Sequence, residues 1–406
     1  MQIKKKEGRE KSEIEKTKEV FKTKKKLNIG EPGRVTFLEF SEKTEDDQSP
    51  EEILKNAKLV AIGDAHGSAL KVLENAVLSE MITMPEEKAR QFKKIYTEMA
   101  QLADPITFKT QSTPFETEER LIGFKEKQKE ALELLDSIEW IGGDREMVFL
   151  GDLISDRGLS DLLTMKILKK IKADGGNIVT LAGNHDMQPV LTIAKHQKKP
   201  LSRYKGIGDG QKVSSGRSLA TEHKTTNIQM KGFYIRQKLF HYDEETKSLF
   251  THAPLSQGHI DELKQAISFQ GDITNPKTMA AFVDRVNEWH HDTLKSIYED
   301  KTPDENNLHL INTLVWARER LKEEKDYPLP NVVRNYVHGH DTTTMRGCPA
   351  SIMDLDRQRK KYDPDGFNLF NLDNVSRKAD SDPTEEVLDS NHTFDQERFF
   401  VIPNRS

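Results

Sequence analysis

A chain of 406 residues, 35% hydrophobic and with a net charge of −5, is long enough to bury a substantial core. That charge gives no global pull toward nucleic acid or an anionic membrane. A single cysteine, Cys348, excludes an intramolecular disulfide framework, no apolar run is long enough to span a bilayer, and the lysine-rich start lacks the apolar stretch of a secretory signal. The expectation is a cytoplasmic protein with no membrane span and no nucleic-acid partner.

In chain order, residues 1–28 are a charge-dense run that reads as a solvated helix or a mobile arm, and the arm is expected to extend to residue 45. Residues 34–40 alternate as a strand, 42–51 form an acidic loop, and the core begins near Ala57. Leu59 to Ile62 is an apolar strand that runs into Gly63-Asp64-Ala65-His66-Gly67. A long excursion follows. Residues 85–102 carry Phe92, Ile95, Met99 and Leu102 at helical spacing, and 116–141 carry Leu121, Phe124, Leu132, Leu135 and Ile138 in the same rhythm. Two prolines between them break the pattern, so residues 85–141 predict an inserted antiparallel helical hairpin. With an apolar seam of its own, it is expected to be either structural decoration or a docking element for a partner protein.

The second strand, Met147 to Leu150, leads into Gly151-Asp152 and then Asp156-Arg157-Gly158. A third, residues 177–181, leads into Gly183-Asn184-His185-Asp186. Residues 193–227 have no clear period and read as a loop, and 233–241 and 248–252 predict a β-hairpin that ends in His252. Helices are expected over 275–300 and 306–324, and a strand over 332–337 leads into His338-Gly339-His340. Two last strand candidates, 368–372 and 398–402, flank a polar segment, and residues 376–406 are set apart from a catalytic domain spanning 46–375. Five apolar strands thus each deliver Asp, Asn or His at the carboxyl end. These are oxygen and imidazole donors suited to Mn, Fe, Zn or Mg rather than to thiolate-preferring metals.

In order and spacing, the five blocks resemble the metallophosphoesterases and, within them, the phosphoprotein phosphatases, whose signature reads GDxHG, GDxxDRG, GNHE and two isolated histidines. The resemblance implies an α/β fold of αββα type, two mixed sheets packed face to face with helices outside. It implies two divalent ions, manganese foremost and iron, zinc or magnesium as alternatives. Asp64 and His66 would hold the first, Asn184, His252 and His340 the second, and Asp152 both. It also implies His185 as general acid, Asp156 as the carboxylate that orients it, and Arg157 and Arg318 as phosphate clamps, with Arg320 the alternative to Arg318. His338 would lie beside the metal pair rather than on it.

The implied activity is that of a metal-dependent protein phosphatase, in which a hydroxide held between the ions attacks a phosphomonoester of serine, threonine or tyrosine. The expected partner is a phosphoprotein substrate, and the unusual arm, hairpin and tail suggest a bacterial effector delivered to a host cell. A dinucleoside polyphosphate hydrolase or phosphodiesterase on the same scaffold is the alternative, and an inactive binding protein a third. Two departures stand out. The second block, GDLISDRG, is one residue longer between its aspartates than the family pattern, and Asp186 replaces the usual glutamate of the third.

Overall fold

The computed structural model describes residues 12–21, 27–29, 36–40, 54–103, 117–155, 158–195, 232–299, 301, 304–317, 329, 332–340, 368–372 and 398–403. Strand β3 (Ala57–Ile62), β6 (Glu146–Phe149) and β7 (Asn177–Thr180) pair in parallel. They are extended on the other side by β12 (Arg398–Pro403), β2 (Thr36–Phe40) and β1 (Leu27–Ile29), giving a six-stranded sheet in the order β1-β2-β12-β3-β6-β7. A four-stranded sheet has the order β11-β10-β9-β8, formed by Asn368–Asn371, Asn335–His338, Ser248–Thr251 and Phe240–Asp243. A parallel bridge between Leu181 and Lys238 joins the two sheets.

Alternation along the strands decides which face each residue covers. Leu59, Ala61, Val148, Leu150, Val179 and Leu181 of the first sheet meet Phe250 and Val337 of the second in one buried layer. The intervening residues Val60, Ile62, Met147, Phe149 and Ile178 face outward into a second, larger cluster built with the helices. Leu249 and Tyr336 do the same from the other sheet. This is the face-to-face sandwich with outer helices that the resemblance implied. At the end of the strands remote from the ligand blocks, Lys58 pairs with Asp243 and Glu245 (3.0 and 2.8 Å), and His241 Nε2 lies 3.0 Å from Glu146 Oε2, tying the two sheets together.

The helices follow from their caps and stripes. Ser68 caps α2 (Ala69–Leu78), Ser160 caps α5 (Asp161–Ala173), and an Asn275 capping box with Pro276 in the first turn opens α8 (Pro276–Tyr298). Between α2 and α5, the excursion forms α3 (Glu86–Leu102), capped by no side chain, and α4 (Glu118–Leu134), capped by Thr117. The second helix ends sooner than its stripe predicted. A 3₁₀ turn at Leu135–Ser137 leads into β5 (Glu139–Trp140), which pairs with β4 (Ile82–Thr83) and closes the base of the hairpin. α6 (Asn184–Lys195) carries the third block, and α9 (Glu305–Trp316) packs against it, against α8 and against α7 (Gln257–Ala266).

Three expectations change. The charged arm is in part a docked helix, α1 (Glu13–Phe21): Thr17 is fully buried and donates to the Met84 carbonyl, and Lys18 pairs with Glu80 at 2.6 Å. Strands from the supposed arm and tail, β2 and β12, share one sheet with β3, so no sheet boundary separates those stretches from the catalytic part. Finally, residues 232–236 are helical where a strand was expected. A helical turn places Tyr234 and Gln237 on one side, toward the second and third blocks, which an extended chain would not do. The expected loop at 193–227 and the polar segment at 376–397 lie almost wholly outside the described residues. Among the described residues no helix is long and apolar enough to cross a membrane.

Candidate metal centre

The parallel strands end at one edge, and the chain's next few residues turn inward there. Asp64, His66, Asp152, Asn184, His252 and His340 are all buried. Asp64, His66 and Asp152 offer ligand atoms within 4.8 Å of one another, and Asp152, His252 and His340 do the same, so Asp152 is common to both groups. Asn184 joins the second through its Oδ1, 2.9 Å from His252 Nε2. Three of the six take left-handed backbone conformations: His66 (φ 51°), Asp152 (51°) and His340 (63°). Such conformations cost on the order of 1–3 kcal/mol each and persist only where the surroundings hold them. Here Gly67 N–H donates to the Asp152 carbonyl (3.0 Å), and His340 N–H donates to Asp64 Oδ2 (3.0 Å). The first turn of α6 adds a bond from His185 N–H to Asp152 Oδ1 (2.9 Å), where a helix N-terminus favours a carboxylate.

The donor set fits a pair of cations. His252 Nδ1 lies 2.8 Å from the Leu150 carbonyl, to which it donates, so the neutral ring presents its Nε2 lone pair. That lone pair faces Asn184 Oδ1 at 2.9 Å and Asp152 Oδ1 at 3.6 Å. Three electron-rich atoms turned toward one space repel one another unless a cation sits among them. Histidine nitrogens with carboxylate and amide oxygens suit manganese, iron or zinc. Two carboxylates against two divalent ions leave a net positive site that attracts phosphate.

The motif glycines serve this packing. A Cβ on Gly183 would lie 2.2 Å from Asp152 Oδ1, and one on Gly339 would lie 2.1 Å from Asp64 Oδ1. Gly151, at φ 115°, faces His252 Nδ1 in the same way. Gly339→Ala is therefore expected to displace the Asp64 carboxylate. Overpacking of this kind costs about 1–3 kcal/mol, and metal affinity should fall with it. Calorimetric metal titration and a melting curve check this, and unchanged values in both would show that the carboxylate has room to move.

Beside the shared carboxylate, His185 Nε2 lies 3.9 Å from Asp152 Oδ2, and its side chain is 18% exposed, open to a ligand. Its ring is 6.4 Å from the indole of Trp316, which also meets His340 edge-on at 5.7 Å and 88°. Trp316 owes its place at the end of α9, between the acid candidate and a ligand candidate, to how that helix packs. Asp186 takes no part in either ligand group. Its carboxylate accepts from Ile154 N–H (2.9 Å), Gly183 N–H (3.0 Å) and Gln237 Nε2 (2.9 Å), joining the second and third loops. Burial and then the Asp152 charge push Asp186 well above the usual carboxylate range, against the pull of those three donors. Gln237 carried no sequence signal.

His338 Nδ1 bonds to the Gly339 carbonyl at 2.8 Å and belongs to neither ligand group. His290 is fully buried, and burial lowers it to about 3, so it packs as a neutral ring. Asp156, Arg157, Arg318 and Arg320 lie outside the described residues.

Residues 146–361, more than half of the chain, match the family model described as the WipA-like phosphatase domain. A symmetrical bis(5'-nucleosyl)-tetraphosphatase from Marinomonas sp. (strain MWYL1) is 32% identical over 124 residues. That match covers 30% of this chain and only 38% of the relative's length. Among solved structures, the phosphatase domain of the Legionella effector WipB aligns with a TM-score of 0.53 at 19% identity, covering 69% of this chain and 98% of that one. At that identity the likeness is one of fold alone.

Proposed function

The chain belongs to the WipA-like phosphatase domain family, and from that premise we propose that it is a binuclear metal-dependent phosphomonoesterase acting on phosphoproteins. One observation carries the reading: a single buried carboxylate, Asp152, is common to two ligand groups and has a partly exposed histidine beside it. When bound, the two cations would polarise the phosphoryl oxygens and supply an acidified water.

The rest falls to the chain's own side chains. Asp64 and His66 would hold one cation and Asn184, His252 and His340 the other, with Asp152 between them. The Trp316 indole stands beside the His185 ring, 6.4 Å between centroids. His185 would donate its proton to the leaving oxygen of the ester, with Asp156 orienting the ring. Arg157 and Arg318 would grip the phosphate, for which forked guanidinium groups are shaped. Manganese is the metal we favour, and a cytoplasm, the cell's own or a host's, is the place of action that a single cysteine in 406 residues suits. The solvent side of the hairpin at 85–141 is where we would place a docking partner; there Ile122, 50% exposed, is the one large hydrophobic residue that stands out among those described.

The test is an assay with phosphoserine, phosphothreonine and phosphotyrosine peptides and a dinucleoside tetraphosphate, each with Mn²⁺ and with chelator. Metal-dependent release of phosphate from at least one peptide is expected. The match to a tetraphosphatase favours a second reading, and faster turnover of the dinucleotide than of every peptide would replace the first with it.

His185→Ala should lower kcat on an alkyl phosphate by roughly 10²–10⁴-fold, the range for loss of a general acid. On p-nitrophenyl phosphate, whose leaving group hardly needs a proton, the loss should be small. Equal losses on both substrates would remove His185 from the acid's role.

A further inference from the structure

Two of the candidate ligands, His252 and His340, follow neighbouring parallel strands, and one buried phenol ties their approaches together. In β9 and β10, Tyr336 lies opposite Leu249 and His338 opposite Thr251. Alternation puts Thr251 on the same face as Leu249 and Tyr336, the one turned to the helices. Tyr336 is fully buried there, and its hydroxyl reaches the turn at the end of β9.

Three groups meet at the Tyr336 hydroxyl. Leu255 N–H donates to it (2.7 Å), Thr251 Oγ1 lies 2.9 Å away, and the Ala253 carbonyl lies at 3.2 Å. Thr251 Oγ1 also donates to that carbonyl, at 2.8 Å. Counting donors fixes the directions. A backbone N–H only donates, and the threonine's proton goes to Ala253, so the phenol's proton goes to Thr251 Oγ1, the nearer of its two acceptors. The bonds thus run from Leu255 N–H through Tyr336 and Thr251 to the Ala253 carbonyl. Each polarises the next, and together they close over residues 251–255.

His252 stands inside that closed turn, as the first residue beyond β9. Its carbonyl accepts from Gly339 N–H (2.8 Å), next to His340, and its Nδ1 donates to the Leu150 carbonyl. Those bonds aim the ring, and the Tyr336 chain holds the turn that carries it. A phenylalanine would fill nearly the same space, but dispersion is indifferent to orientation and a hydrogen bond is not.

We propose that Tyr336 is a positioning residue for one half of the metal centre. Through Thr251, Ala253 and Leu255 it fixes His252, and so sets how tightly Asp152, Asn184, His252 and His340 hold their cation. The other group, Asp64, His66 and Asp152, contains no residue of that turn. This rests on the two-cation reading, and its consequence is selective: one ion is loosened and the other is kept.

The experiment compares full-length wild type, Tyr336→Phe, Thr251→Val and, as a control, Tyr242→Phe. Tyr242 belongs to the same sheet and donates from a buried phenol to the Val332 carbonyl (2.8 Å), ahead of β10 rather than at its ligand end. Each protein is stripped of metal and titrated with Mn²⁺ by calorimetry. The electron spin spectrum of the bound Mn²⁺, Tm and kcat on p-nitrophenyl phosphate are read alongside. Tyr336→Phe and Thr251→Val should each weaken one of the two metals roughly 10–100-fold, the usual size for a residue that supports a ligand, and leave the other within twofold. At the Mn²⁺ level that fills the wild-type pair, both variants should show the spectrum of a lone ion. Excess Mn²⁺ should then restore most of kcat. In a His252→Ala background, Tyr336→Phe should weaken metal binding no further. Tyr242→Phe should lower Tm while both metals bind as in wild type.

Affinities within twofold of wild type for both metals would overturn the proposal, as would equal loosening of both or the same metal loss in Tyr242→Phe. If Tyr336→Phe fails to fold, Thr251→Val carries the same comparison. Selective loss of one metal in a protein that hydrolyses no phosphate ester would sink the proposed function and leave the positioning role standing. Metal-dependent hydrolysis with unchanged affinities would do the reverse, and a wild type that binds fewer than two metals would overturn both.

Discussion

Asp152→Asn is expected to lower kcat/KM by about 10³-fold or more and to release both cations together. The amide keeps the shape of the side chain but removes the one negative charge common to the two ligand groups. Metal charge stabilisation is worth several kcal/mol in the transition state, and about 4 kcal/mol corresponds to that loss of rate. The amide also disturbs the bond that His185 N–H makes to Asp152 Oδ1. One end of the new group is a donor, so one of its two orientations sets donor against donor there. Metal analysis beside the kinetics separates the two effects. A variant that kept two metals per chain and most of its turnover would remove Asp152 from the bridging position.

Replacing residues 85–137 by a short Gly-Ser linker is expected to abolish folding, not merely to remove a docking site. A hairpin held by its own seam could be cut away at a modest cost in loop entropy, and the apolar stripes alone suggested such a seam. In the structure, however, Phe92, Tyr96, Met99 and Phe124 are fully buried and belong to the same cluster as Leu73 and Phe149. The hairpin also touches the catalytic side of the molecule. Gln128 Nε2 donates to Ser160 Oγ at 2.7 Å, just after the second block, and the Tyr96 hydroxyl lies 3.5 Å from Ser68 Oγ, just after the first. Cutting it out would expose that side of the core. The point version is Phe124→Ala, expected to cost about 3–5 kcal/mol against a total stability of about 5–15 kcal/mol for a typical domain. Denaturant melts measure both. A hairpin-less chain that melts cooperatively near the wild-type temperature would restore the self-contained seam, and with it the simple docking module.

The candidate site was legible in the sequence because each of its parts is local. An apolar run of strand type followed within a few residues by Gly-Asp, Gly-Asn-His or Gly-His can be recognised without knowing what lies beside it. Parallel strands then present all such ends at one edge, so Asp64, Asp152, Asn184 and His340 needed only to be found in order, while His252 follows its strand directly with no glycine to mark it. Helix caps at Ser68, Ser160 and Asn275 are equally local, and helices begin where they do.

What sequence could not decide were the contacts between distant stretches. An amphipathic stripe says that a face is buried but not against what, so the hairpin's inner face and the docking of α1 were open. The pairing of β12 with both β2 and β3 joins residues near the two ends of the chain, and nothing in six strand-forming residues names their partners. Trp316, Gln237 and Tyr234 reach the catalytic loops only because α9 and the 232–238 stretch pack there. Ser155, between the two aspartates of the second block, is likewise held by contacts that the sequence does not name. A left-handed serine is costly on its own and persists here because Tyr234 and Asp161, both remote in sequence or beyond the turn, bond it in place.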